Sequence, residues 1–201
     1  MKKLLLLTSF ILCSLIANGQ DGKVRAAFLE SYTQETNKKY DKAIDALQEV
    51  YLETSYSINL RLGWLTYMKG DFLQSQTYYE KSISIAPKSI EARLGYVYPT
   101  SALQNWDDIT RVYKEILSID PNHSVVNYRM GYIQFLAKDW TQSEMYLKNV
   151  LSLYPFDYDS NALLGSVYVK QGKIQEAKKH YRIALQYNPK KTEVQELLDK
   201  L

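Results

Sequence analysis

The sequence predicts an all-α protein assembled from repeated helical hairpins, and three observations carry that prediction. The first is the stretch from Asn161 to Pro189. Leu164, Gly165 and Tyr168 fall on one face of a helix, and Ala177, Tyr181 and Ala184 fall on one face of a second. Gly172 lies between them, where a turn can require positive φ. Pro189 closes the second helix, because proline lacks an N–H and restrains the residue before it. The second observation is recurrence. Leu62-Gly63 precedes Gly70, Phe72, Ser75, Tyr79, Ser82 and Pro87; Leu94-Gly95 precedes Trp106, Ile109, Tyr113, Ile116 and Pro121; Met130-Gly131 precedes Trp140, Ser143, Leu147, Val150 and Pro155. The third is spacing. The Gly-to-Pro separation is the same from Gly63 to Pro87, from Gly131 to Pro155 and from Gly165 to Pro189, and it is longer by two from Gly95 to Pro121. The four glycines themselves recur at nearly even intervals.

This residue set resembles the tetratricopeptide repeat (TPR), a helix–turn–helix unit of about 34 residues. The family pattern has an aromatic, a Leu-Gly pair and a Tyr on its first helix, then Ala, an aromatic, Ala and Pro on and after its second. Asn161 replaces the opening aromatic of the last copy; the other positions match. The resemblance implies a right-handed α-solenoid of about five hairpins plus a C-terminal capping helix. Each hairpin would bury its apolar stripe on the next rather than around one central core. A 46% apolar, 23% charged composition suits such a folded chain.

Residues 1–19 read as a signal peptide outside the fold. Lys2 and Lys3 precede an apolar run from Leu4 to Ile16, and Ala17-Asn18-Gly19 supplies small residues for cleavage before Gln20. The run is short for a permanent transmembrane helix. An uncleaved anchor is the alternative; a lipid-modified Cys13 is disfavoured by Leu12, where a small residue is wanted. Removal of this segment takes away two of the 25 basic residues, leaving 23 against 22 acidic ones, and the single Cys. That balance gives no whole-chain argument for nucleic acid, and a Cys-free mature chain is indifferent to an oxidising compartment. The expected location is the periplasm, or outside the cell after secretion.

The array is expected over residues 20–191. Its first repeat, about 24–57, is degenerate: Tyr40, Ala43, Leu47 and Val50 mark the second helix, but Glu30-Ser31 stands where Leu-Gly stands elsewhere and Ser55 where Pro stands. The second spans about 56–89, with Asp71 placed to cap its second helix. The third, about 88–123, counts two extra residues from Gly95, and Pro99 reads as ending its first helix early, with Pro99–Asn105 as an enlarged turn. The fourth and fifth span about 124–157 and 158–191. In residues 192–201, Val194, Leu197, Leu198 and Leu201 follow helical spacing, Thr192 can cap, and the segment reads as a helix shielding the end of the stack.

No catalytic constellation, metal site or cofactor motif is present in this reading. His123 and His180 lack partners at ligand spacing and read as exposed polar residues. Asp157, Asp159 and Asn161 resemble the start of a calcium loop, but Ala162 and Tyr168 occupy the places where Gly and Glu are needed. Lys170, Lys173, Lys178, Lys179, Arg182, Lys190 and Lys191 form a basic run with one acid, Glu176. Such runs are mostly solvated helix faces; this one could meet an acidic partner or, indirectly, a membrane surface.

The resemblance implies that each first helix turns one face to a concave groove where TPR proteins hold partner peptides. Aromatic residues fill that face here: Phe28 and Tyr32, Trp64 and Tyr67, Tyr96, and Tyr128, Tyr132 and Phe135. Arg61, Arg93 and Arg129 each precede a repeat glycine by two residues, which predicts a basic ladder beside the rings. Tyr and Trp are frequent contact residues at interfaces, although the same rings could pack between helices. The expected function is therefore non-enzymatic docking or scaffolding of another protein or peptide, which apolar side chains and some negative charge would suit. A structural subunit of an envelope assembly, or a binder of a small or glycan ligand, are the alternatives. The sequence leaves the oligomeric state open.

Overall fold

The computed structural model describes residues 21–201, so the expected signal peptide lies outside the described residues. The described chain is all helical, with eleven helices. It divides into two compact units, up to Ile109 and from Thr110.

The first unit contains α1, described over residues 21–36, α2 (Tyr40–Gln48), α3 (Tyr56–Lys69), α4 (Phe72–Ile85), α5 (Ile90–Ala102) and the start of α6 (Trp106–Ile119). Here α2 packs on α3, α3 on α4 and α4 on α5, and α3 also touches α5. Ala27, Ala43, Leu47, Ile58, Leu62, Leu65 and Tyr78 form its continuous core. The second unit holds the rest of α6, then α7 (Ser124–Leu136), α8 (Trp140–Leu153), α9 (Tyr158–Lys170), α10 (Ile174–Tyr187) and α11 (Thr192–Asp199). Its core is built on Leu147, Leu164, Val167, Tyr168, Tyr181 and Val194. Val194, Leu198 and Leu201 of the final segment pack against that core, while Leu197 is exposed. Thr192 is the first residue of α11 and makes no cap; Lys191 holds the cap position without a side-chain bond.

From α3 onward the helices keep a strict period, equal to the family's repeat length of about 34 residues. First helices begin at Tyr56, Ile90, Ser124 and Tyr158, and second helices at Phe72, Trp106, Trp140 and Ile174, each one period after the last. The left-handed turn residues keep the same interval: Gly70, Gln104, Lys138 and Gly172. The third repeat therefore carries no extra residues, and Leu94-Gly95 does not stand where Leu62-Gly63 stands. The counterpart of Gly63 is Val97, and Tyr96 takes the core place of Leu62, Met130 and Leu164. Nor does Pro99 shorten its helix. It is buried inside α5, which has the same 13 residues as α7 and α9, and Leu103 N–H still reaches its carbonyl at 3.0 Å. Proline removes only its own backbone bond, close to the helix end.

A buried asparagine recurs at the start of three first helices, a series of which only Asn161 stands out in the sequence. Asn59, Asn127 and Asn161 lie at equivalent places, and each donates from Nδ2 to two backbone carbonyls: of Glu53 and Ser55, of Pro121 and His123, and of Pro155 and Asp157. Each Oδ1 then has a partner: Tyr51 Oη, Asn149 Nδ2 and His180 Nδ1. The amide thus ties the turn after one repeat to the first helix of the next and leaves no buried acceptor unpaired. In the third repeat Arg93 holds this place, and its Nη1 donates to the Ser89 carbonyl.

Neither histidine is simply exposed. His123 caps α7, its Nδ1 accepting from Val126 N–H at 3.3 Å. His180 is half-buried against the Tyr168 ring. The Asn161 amide faces it with an oxygen, so His180 Nδ1 carries the hydrogen. Burial, reinforced by Lys179 and Lys148, holds its pKa below the usual histidine value.

Glu144 of α8 anchors the last hairpins. Its carboxylate accepts from Lys148 at 2.6 Å, Gln171 at 2.9 Å, Lys173 at 3.2 Å and Tyr168 at 3.2 Å. Burial pushes this carboxyl up, but the bonds from Lys148, Gln171 and Lys173 outweigh it and hold the pKa at about 2. A depressed folded-state pKa contributes stability that is complete above the unfolded value and is lost as pH falls toward about 2. Glu144→Gln should lower stability near pH 7 by about 1–2 kcal/mol after allowance for solvent screening. The gap between variant and parent should close between pH 5 and about pH 2. Chemical denaturation across that range checks this; a constant gap would contradict it.

Candidate functional site: aromatic clefts

A cleft of about 740 Å³ opens within the first unit. Phe28 and Tyr32 of α1, Leu60, Arg61 and Trp64 of α3, and Leu94 and Tyr98 of α5 line it, Tyr79 of α4 reaches it, and Tyr56, Ser57 and Glu91 lie at helix starts. The repeat period explains the set, since Leu60 and Trp64 of α3 correspond to Leu94 and Tyr98 of α5. Gly95 lets the two helices close over Tyr79. A Cβ there would lie 2.1 Å from the Tyr79 ring.

The rings are held by one another. Trp64 lies 5.8 Å from Tyr67 and 6.0 Å from Tyr98, Tyr67 lies 5.5 Å from Tyr98, and Phe72 backs Tyr67 at 5.9 Å. Such offset and edge contacts hold aromatic rings in place. Tyr98 remains 51% and Tyr32 54% exposed, so the wall presents ring surface to solvent. Arg61 is buried beneath it. Its Nη2 is 2.6 Å from Glu35, its Nε donates to Ser31, and its guanidinium lies 3.8 Å from the Tyr32 ring centre. Glu35 also accepts from the Trp64 indole N–H.

Within the second unit a cleft of about 370 Å³ is lined by Val125, Tyr128, Arg129, Val150, Tyr154, Asp157 and Asp159, with Ser124 at its edge. Tyr128 is half-buried, and burial followed by the Asp159 charge raises its pKa. Arg129 is exposed, and Tyr132 is 44% exposed. Phe135 packs on Trp140 at 5.3 Å and so joins α7 to α8.

Of the groove candidates, Tyr67, Tyr132 and Phe135 line neither cleft, and Tyr96 and Arg93 lie elsewhere. Tyr96 is buried, and its hydroxyl donates to Asp108 at 2.8 Å; burial and then Asp108 raise its pKa. Arg93 occupies the buried asparagine place. The expected ladder of Arg61, Arg93 and Arg129 therefore does not form: Arg61 and Arg129 stand two periods apart, and Gly95 stands between them in the series. Leu60, Leu94, Tyr98 and Glu91 were missed, although one period on from Trp64 comes Tyr98, and one further Tyr132. In the basic run, Lys173 is tied to Glu144 and lies over the Tyr168 ring, and Lys178 is half-buried.

Family models described as tetratricopeptide repeat match residues 56–89, 126–157 and 159–191. The chain is a tetratricopeptide repeat protein. Solved structures share the fold. A MamA protein matches at TM-score 0.69 and 17% identity, over 85% of this chain and 94% of its own. MamA from Desulfovibrio magneticus RS-1 matches at 0.68 and 13%, over 84% and 97%. A tetratricopeptide repeat protein from Parabacteroides merdae matches at 0.75 and 14%, over 88% and 71%. Among curated proteins none matches. The family explains the hairpins, the small residues at their crossings and the strict period. Among the described residues of this TPR protein no helix is long and apolar enough to cross a membrane.

Proposed function

We propose that this TPR protein is an exported, non-catalytic docking module that holds a segment of another protein in the aromatic cleft of its first unit. The observation that carries this reading is a cleft of about 740 Å³ lined by Phe28, Tyr32, Trp64 and Tyr98, with Tyr67 packed against Trp64 and Tyr98 to hold them in place. Rings already held in position lose little freedom on binding, which favours their use as contact residues. Tetratricopeptide repeat proteins bind other proteins or peptides, and this cleft is wide enough for several side chains of an extended or helical segment. Selection from a random peptide library against the purified chain tests the reading. Enriched peptides should bind the parent and lose affinity when Trp64 and Tyr98 are both replaced by alanine.

Export rests on the Lys2-Lys3, apolar and small-residue series that ends at Gly19. Intact mass of the protein recovered from its native cell should place the new terminus at Gln20 or within a few residues of it. A mature species that retains Met1 would refute cleavage.

A further inference from the structure

Charge in the first-unit cleft runs opposite to the basic character that the arginine positions suggest. Among the described residues lining the cleft, Arg61 is the one cation and Glu91 the one carboxylate. Arg61 is committed. It is 8% exposed, ion-paired with Glu35, bonded to Ser31 and covered by the Tyr32 ring. An incoming carboxylate would have to compete with Glu35 and Ser31 for a guanidinium whose Nη2 and Nε are already engaged and whose face is covered by Tyr32. Glu91 is exposed, at the start of α5, where the helix terminus favours its negative charge. Tyr56 donates to one of its oxygens at 3.0 Å, which orients the carboxylate beside the rings.

We infer that the cleft selects a partner-protein segment that carries apolar side chains next to a lysine or arginine, not an acidic one. This rests on the docking reading above and adds to it the charge of the partner. The apolar part would cover Trp64, Leu60 and Leu94. The cation would reach Glu91 across the face of Tyr98, because aromatic faces attract cations and an ordered carboxylate supplies the counter-charge. Glu91 and the rings act together, so the preference should weaken in salt without vanishing.

The test compares peptide-library selections on the parent, on Glu91→Gln and on the double variant Trp64→Ala with Tyr98→Ala. Expected from the parent is enrichment of Lys or Arg beside apolar residues, with Asp and Glu depleted. Glu91→Gln keeps an acceptor for Tyr56 and should retain apolar enrichment while losing the cationic bias. For the leading peptide, measured by fluorescence anisotropy, changing its cation to Glu should weaken binding to the parent about tenfold. Enrichment of acidic residues, or a cationic bias unchanged in Glu91→Gln, overturns the charge inference and leaves docking standing. Enrichment identical on the parent and the double variant, or no enrichment on the parent, overturns docking and the charge inference together.

Discussion

Replacing Gly165 by leucine should lower the stability of the second unit by about 3 kcal/mol, the upper part of the range for overpacking a closed core. A Cβ at Gly165 would lie 2.5 Å from two atoms of the Tyr181 ring, closer than packed atoms tolerate. The ring cannot step aside at low cost. It is 1% exposed, and its hydroxyl bonds to Ser166 at 3.0 Å, so any shift also disturbs α9. Alanine makes the sharper test. In an open helix Gly→Ala stabilises by about 1 kcal/mol through backbone entropy. Gly165→Ala should instead destabilise, because the clash begins at Cβ. Lys179→Ala, on an exposed face, should stay within about 0.5 kcal/mol of the parent. Thermal and urea unfolding of the three variants decide the matter. A stabilised Gly165→Ala would mean that α9 and α10 sit farther apart than this contact requires.

That glycine also shows how much of the fold was legible. Close helix crossings need small residues, and Gly63, Gly131 and Gly165 fall at equivalent crossings, so hairpins, repeat length and the last two cores could be read from the chain. The third repeat misled because its own glycine serves a different contact. Gly95 stands two residues before the crossing position, where it admits Tyr79, and the pair Leu94-Gly95 imitates the family pair by composition alone. Pro87, Pro121, Pro155 and Pro189 are evenly spaced, one period apart throughout. They are the better ruler, because a proline that ends a helix is fixed by the backbone while a glycine can serve any close contact. Counted from the prolines, Trp64, Tyr98 and Tyr132 align, Tyr96 becomes a core residue, and Arg93 falls into the asparagine series. What no count supplies is the pairing of charges. That Arg61 is spent on Glu35, which belongs to the preceding repeat, depends on how α1 meets α3.

The aligned pair gives the second large effect. Trp64→Ala with Tyr98→Ala should weaken binding of a library-selected peptide by at least about 2 kcal/mol, some thirtyfold, the loss typical for a desolvated aromatic at the centre of an interface. The two rings meet edge-on at 6.0 Å, so the losses will not add independently. Stability must be separated from binding. Trp64 is half-buried and bonds Glu35, so its removal loosens the α1–α3 contact, whereas Tyr98 projects from the wall with 51% of its surface exposed. Tyr98→Ala alone should therefore keep the unfolding midpoint close to the parent's and still lose most of the affinity. Tyr128→Ala with Tyr132→Ala on α7, where Tyr128 lines the smaller cleft of the second unit and Tyr132 is exposed, serves as the counterpart and should bind the peptide nearly as the parent does. If the Trp64 and Tyr98 double variant binds at full strength while the Tyr128 and Tyr132 pair fails, the docking surface lies on α7, with exposed Arg129 supplying its charge, and an acidic segment becomes the better partner.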